Sequence, residues 1–267
     1  MDLEPTFEPT LTATLHEREW ILDALGGLYL DQWLTDVPYR VKGGKEATVY
    51  CCTAHPNTGL KLLAAKIYRP RMFRAMKNDA VYRDARSNLD ADGKTIRDRR
   101  SWLAMKKHTR YGKQLTTASW IQHEYQTLRR LHEAGADVPR PLVQSGTALL
   151  MEYLGEPGYG APTLHEVRLE RDEARRVFTR LLRNVELFLA CDCIHADLSA
   201  HNVLYWQGDF RVIDFPQAVD PATNPSAFSF LSRDVERLCQ YFAKYGIEAN
   251  AGRIAGDLWD RFTRAEL

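Results

Sequence analysis

Asp197 and Asn202 stand five residues apart in Ile194-His195-Ala196-Asp197-Leu198-Ser199-Ala200-His201-Asn202-Val203-Leu204, between a segment of helical periodicity and a short apolar strand. That is the spacing of a phosphoryl-transfer loop. The carboxylate can accept a hydrogen bond from an attacking hydroxyl and orient it. The amide oxygen can ligate Mg2+ without adding a second full charge. A D-x4-N match alone recurs by chance, but the His-x-Asp-Leu before it and Val-Leu after it make this one specific. Twelve residues beyond Asn202, the apolar run Val212-Ile213 ends in Asp214. A hard cation such as Mg2+ takes oxygen ligands and charge neutralisation, which Asp214 can supply while bridging to ATP phosphates. An isolated strand-terminal Asp more often just starts a turn; the loop upstream favours the metal. Asp197 is thus the candidate catalytic carboxylate, with Asn202 and Asp214 the candidate metal ligands.

Lys66 lies inside the apolar run Leu63-Ala64-Ala65-Lys66-Ile67-Tyr68. A buried ammonium is costly unless paired. Glu124 falls three residues after Ile121 and four before Leu128, on the inward stripe of a predicted helix, so a Lys66–Glu124 pair is expected. Such a pair would aim the Lys at phosphates. The alternative is a Lys that snorkels from an edge strand. About twenty residues before Lys66, Gly43-Gly44-Lys45-Glu46-Ala47-Thr48-Val49-Tyr50 joins two strands. Its glycines let the backbone approach phosphates and offer N–H groups. It is no Walker loop, because G-x4-GK[ST] is absent and no helix is predicted to follow.

These residues need elements to position them. The 267-residue chain carries 36 Lys+Arg, 35 Asp+Glu and 45% hydrophobic residues, enough for one large domain or two small lobes. No apolar run approaches the ~20 residues of a membrane span, and the acidic start MDLEPTFEPT lacks a secretory pattern. Five cysteines, without zinc-knuckle spacing, argue against a disulfide framework and for a reducing cytoplasm. From Arg69 to Lys113 there are 14 basic and 5 acidic residues, a local excess of +9 within a net charge of +1. Such a block suits a polyanion or is a solvated insertion.

Along the chain, a loose tail precedes a short helix holding Trp20, Ile21, Leu25, Leu28 and Trp33. Strands are predicted from Tyr39 to Tyr50 and from Lys61 to Tyr68, and the basic stretch reads as a mobile loop with some helix. A helix from about Ala118 to Ala134 ends at Gly135, and two short strands occupy Leu142–Gly155. Gly155, Pro157, Gly158, Gly160 and Pro162 crowd one segment, where the lobe boundary is placed. Helices over Asp172–Ala190 and about Leu231–Tyr245 flank short strands. The expected fold class is α+β: a two-lobed, protein-kinase-like fold with a small β-rich N-lobe, a mostly helical C-lobe and an ATP cleft between. The divisions are 1–38 (tail and short helix), 39–155 (N-lobe, with a basic flexible insertion at about 69–117) and 156–267 (C-lobe).

Six motifs in order, GKEATVY, AAKIYR, LLMEYLG, IHADLSAHNVL, IDFPQAVD and FLSRDV, resemble the RIO kinases, atypical protein kinases linked to ribosome maturation. The similarity runs from roughly Val41 to Tyr245, about three quarters of the chain. It is nearer the branch without an N-terminal winged helix, for which residues 1–40 are too few. The resemblance implies ATP with Mg2+, or Mn2+ in its place, and phosphoryl transfer to protein serine or to the chain itself. It makes Asp197 the catalytic carboxylate and Asn202 and Asp214 the metal ligands, with Asp214 also an aspartyl-phosphate site. Gly44, Lys45, Glu46, Ala47 and Val49 would cover the nucleotide, and Lys66, held by Glu124, would contact its phosphates. Met151 would back the adenine pocket, with the Glu152 and Leu154 backbones as hydrogen bonders.

The chain departs from the family pattern in three places. Lys42-Gly43 replaces the usual Ser-Thr, Ala196 turns HGD into HAD, and Pro216 gives DFP. Two other readings stay open. One is a small-molecule phosphotransferase resembling the aminoglycoside kinases. The other is a nucleotide-gated module that binds RNA or a ribosomal particle through residues 69–113.

Overall fold

The computed structural model describes residues 6–44, 46–69, 89–90, 93–107 and 109–267, which divide into two compact units. The first takes in the chain up to 69, then residues 89–125 and Arg140–Gly160; the second takes in Gln126–Pro139 and Ala161–Leu267. Lys45 and part of the predicted basic insertion (70–88, 91–92 and 108) lie outside the described residues.

In the first unit, helix α1 (Leu15–Leu30) starts at Thr14, whose hydroxyl accepts the Glu17 N–H. It buries Ile21, Ala24, Leu25 and Leu28, one stripe of the 3.6-residue period. Trp33 falls beyond its end. The sheet order is β1 (Leu34–Gly43), β2 (Ala47–Ala54), β3 (Leu62–Tyr68), β5 (Ala148–Glu152), β4 (Pro141–Ser145), every pair antiparallel. β1 begins five residues before the predicted Tyr39. β1 contains Pro38, whose missing N–H is tolerated because β1 is an edge strand. Leu34 and Val37 are buried there under α1.

The strand period of two then sorts the faces. Leu63, Ala65 and Ile67 of β3 join Tyr50, Cys52 and Leu150 in the core with α1. Ala64, Lys66 and Tyr68 point the other way, where Tyr68 packs on Ile121. Both faces of β3 are covered, so its sequence is a continuous apolar run rather than an alternation.

Helices α2 (Arg99–Lys106) and α3 (Arg110–Glu133) follow. α2 is capped by Asp98, which accepts the Ser101 N–H at 2.7 Å. α3 begins eight residues before the predicted Ala118, because Gly112 serves packing rather than helix breaking. A Cβ at Gly112 would meet the Ala104 carbonyl oxygen at 2.0 Å, so only glycine lets α2 and α3 approach. The Gly135 end is as expected, with φ +83. A small hairpin, β6 (Gly155–Glu156) with β7 (Tyr159–Gly160), completes the unit.

The second unit packs α4 (Arg171–Ala190), α5 (Ala227–Ala243) and α6 (Ala251–Thr263) with the hairpin β8 (Val203–Trp206) and β9 (Asp209–Val212). Val177, Phe178, Leu181, Val185, Phe188 and Leu189 form the buried stripe of α4. All five cysteines are free thiols. Among the described residues, no helix is long and apolar enough to cross a membrane.

Candidate active site

Lys66 is central in β3, paired with Val49 on one side and Leu149 on the other. Its Nζ lies 2.7 Å from Glu124 Oε1, with the Glu124 side chain 1% exposed. The ammonium also stands 5.1 Å from the Tyr68 ring centre. β3 and α3 thus bury a charge that would be too costly unpaired.

The glycine turn is less open to a ligand than the sequence suggests. The Gly44 N–H donates to the Ala47 carbonyl at 2.8 Å, and the Arg69 N–H to the Glu46 carbonyl at 2.8 Å. The Gly44 amide is therefore spent on closing its own hairpin. Met151 is buried in β5, beside Ala64 of β3. The Glu152 N–H donates to the Arg140 carbonyl at 2.8 Å, so a main-chain contact to a ligand at Glu152 must use its carbonyl. Leu154 follows β5 and is half-buried.

In the second unit, the Asp197 loop is held from three directions. His195 is buried, and its Nδ1 accepts the Asp197 N–H at 3.3 Å, so Nε2 carries the proton and donates to the Ile213 carbonyl at 3.1 Å. Burial lowers the imidazole below its usual pKa and keeps it neutral. The Ile213 N–H donates back to the Asn202 carbonyl at 2.9 Å, and Asn202 Nδ2 donates to the Asp197 carbonyl at 2.9 Å. Asp197, Asn202 and the residue before Asp214 are therefore tied together within one unit.

The third support comes from α5. Asp234, 1% exposed, accepts the Ala196 N–H on Oδ2 at 2.7 Å and the Leu198 N–H on Oδ1 at 2.9 Å. It thereby grips the backbone on both sides of Asp197. Desolvation pushes its pKa up to about 7 against the opposing pull of those two N–H groups. Arg233 donates to the Ala196 carbonyl, and Arg237 Nη1 donates to Asp197 Oδ1 at 2.8 Å. Sequence reasoning gave FLSRDV no residue roles, although a signal was there. Asp234 lies three after Leu231 and four before Leu238 on a buried stripe, the same logic that singled out Glu124.

The donor set fits Mg2+. Asn202 turns its NH2 to Asp197, so its Oδ1 is the atom left for a cation, and the Asp214 carboxylate is exposed. Among the described residues, no cluster of three or more His, Cys, Asp or Glu could hold a metal. Two protein oxygens with phosphate and water completing the shell suit Mg2+, which keeps several waters.

Residues 48–253 match the family model described as the RIO domain. The chain belongs to the RIO family. The chain is 30% identical over 220 residues to the serine/threonine-protein kinase RIO1 of Caenorhabditis elegans, covering 80% of this chain and 38% of that protein. It is 28% identical over 218 residues to the RIO-type serine/threonine-protein kinase Rio1 of Haloferax volcanii, covering 80% of this chain and 66% of that one. The chain thus spans well under half the length of the nematode relative. In fold, it is similar to the crystal structure of the Chaetomium thermophilum Rio2 kinase in an ADP/Mg2+-phosphoaspartate complex, with TM-score 0.58 and 19% identity, covering 87% of this chain and 64% of that one.

Proposed function

We propose that this RIO domain is an ATP- and Mg2+-dependent serine kinase or ATPase that phosphorylates protein serine or itself. The observation that supports it best is the cross-tied loop, in which Asn202 binds Asp197 while the Ile213 amide beside Asp214 binds Asn202. The serine hydroxyl attacks the γ-phosphorus and the bond from that phosphorus to the β–γ bridging oxygen breaks. The electron pair leaves with ADP, and the hydroxyl proton goes to Asp197. Lys66 contacts the phosphates, and Met151 lines the adenine pocket. Asn202 and Asp214 hold Mg2+, which when bound neutralises phosphate charge. Attack by the Asp214 carboxylate instead of a serine would give an aspartyl phosphate and ADP. The free thiols support a cytoplasmic setting.

The test follows labelled γ-phosphate with Mg2+ in wild type, Asp197→Asn and Asp214→Asn. Transfer to protein or release as phosphate is expected in wild type, with a loss of at least ~100-fold in both variants. Label released by hydroxylamine marks an acyl phosphate, and alkali-labile, hydroxylamine-resistant label marks phosphoserine. Turnover that survives both substitutions rejects the assignment.

A second role, contact with RNA or a ribosomal particle, is favoured by one surface feature. Trp102 and Tyr111 are 51% and 48% exposed, Arg99, Arg100 and Lys106 share the Trp102 helix, and Lys106 Nζ stands 4.9 Å from the Trp102 ring centre. Exposed aromatic faces among cations suit stacked bases and their phosphates.

A further inference from the structure

A cavity of about 580 Å³ opens against Asp197, walled by Arg237, His165, His201, Gln240 and Tyr241. All of these residues lie in the second unit. The His165 and His201 rings lie against each other, tilted by 33° with centres 4.1 Å apart. Among the described residues that line it, Asp197 carries the one carboxylate, and Arg237 sets a guanidinium beside it.

Arg237 is the unusual member. Its Nη1 donates to Asp197 Oδ1 at 2.8 Å, while Nε and Nη2 make no hydrogen bond among the described residues. The two side chains are 38% and 49% exposed, so the pair is half-open. An ion pair this wet contributes little to stability, and an incoming ligand can displace it at small cost. With Arg237 on Oδ1 and the Asn202 amide 3.5 Å from Oδ2, each Asp197 oxygen already faces a donor, so an incoming hydroxyl must share one of them. An acceptor that drew Asp197 wholly onto its hydroxyl would leave the guanidinium without its counter-charge. An acceptor with its own carboxylate would satisfy both groups, and the planar fork of Arg suits a carboxylate. Glu236, next on the same helix, does not fill that role, because it is engaged by Gln240 Nε2 at 3.0 Å.

We propose that this cavity is the acceptor site and that Arg237 selects a serine with an aspartate or glutamate one or two residues away. The spacing follows from reach. A hydroxyl within ~3 Å of Asp197 places the neighbouring Cα atoms roughly 3.5–7 Å further along an extended chain, within range of the guanidinium. The inference rests on the kinase reading above and adds the class of acceptor.

The experiment compares serine peptides carrying Glu, Gln or Lys at the adjacent positions, assayed for transfer by the full chain with Mg-ATP. Wild type should favour the Glu peptides by about tenfold or more in kcat/KM. Arg237→Gln should erase that preference, Arg237→Lys should keep part of it, and Arg237→Glu should shift it to the Lys peptides. A merely structural Arg237 would lower all three peptides together. In parallel, fluorescence anisotropy reads binding of the acidic peptide with Ala in place of Ser, where no turnover is needed. Arg237→Glu should weaken it about tenfold or more.

Transfer without charge preference, or acidic binding that survives Arg237→Glu, overturns the proposed site and leaves the kinase reading intact. Arg237-dependent binding without transfer to any peptide supports the site and counts against the kinase reading. Neither binding nor transfer overturns both.

Discussion

Ala196 adopts φ +63, in the left-handed region where a Cβ costs roughly 1–2 kcal/mol. The RIO pattern has glycine there, so the HAD departure calls for an energetic account. Changing Ala196 to glycine would relieve that strain. It would also restore ~0.5–1 kcal/mol of unfolded-chain freedom and forfeit about 0.8 kcal/mol from the buried methyl, since Ala196 is 0% exposed. The terms nearly cancel. Ala196→Gly should therefore change unfolding free energy by less than about 1 kcal/mol, read from denaturant melts. Ala196→Val, β-branched at positive φ, should destabilise by about 2 kcal/mol or more. A loss well above 1 kcal/mol from Ala196→Gly would show that the left-handed backbone is not held as described, because no strain would then be relieved. Asp214, at φ +75, carries the same kind of strain at the other end of the tied loop.

Helix α5 supplies Arg233, Asp234 and Arg237, at i, i+1 and i+4, and all three address the Asp197 loop. Asp234 is the anchor, since each carboxylate oxygen takes one N–H. Asp234→Asn keeps the volume but sets an NH2 against one of those N–H groups. It should cost about 1–3 kcal/mol and cut phosphoryl transfer with it. The pH dependence tests the cause. The folded pKa of Asp234 is raised, to about 7, so between the unfolded value near 4 and 7 the native state binds more protons. Its contribution to stability is thus fully present below pH 4 and is lost as pH rises to 7. The wild-type-minus-Asp234→Asn difference in unfolding free energy should fall across that window. A flat or rising difference would mean the two N–H donors outweigh desolvation.

Much of this architecture was legible because its signals are local. The α4 stripe, the Gly135 stop and the inward-facing Glu124 each follow from spacing within one element. What was missed depends on neighbours. Pro38 fits β1 only because that strand is an edge, and Gly112 fits α3 only because α2 lies against it. The Gly44 amide closes its own turn, a bond that residue types along the chain do not reveal. Asp234 was visible as a carboxylate on an apolar stripe, yet its purpose appears only when the Asp197 loop is laid beside α5.

At the scale of the whole molecule, a net charge of +1 conceals a +9 segment between Arg69 and Lys113, balanced by −8 elsewhere. Within its described part, Asp98 caps α2, and Trp102 stands exposed with Lys106 Nζ 4.9 Å from its ring centre. Charge and stacking make separable demands. Each phosphate neutralised releases a counterion, so affinity for single-stranded RNA should fall with salt on a log–log slope of about −0.7 per contact. Replacing Arg97, Arg99 and Arg100 by Ala should flatten that slope by roughly 2. Trp102→Ala removes a stacking face and no charge. It should weaken binding by about 1–3 kcal/mol while leaving the slope unchanged. Filter binding of a short oligoribonucleotide between 50 and 200 mM salt, on the order of the range where such slopes are resolved, reads both effects. A slope that the triple substitution does not change would assign the basic segment to solvent. A Trp102 variant that binds as wild type would leave charge alone as the attraction.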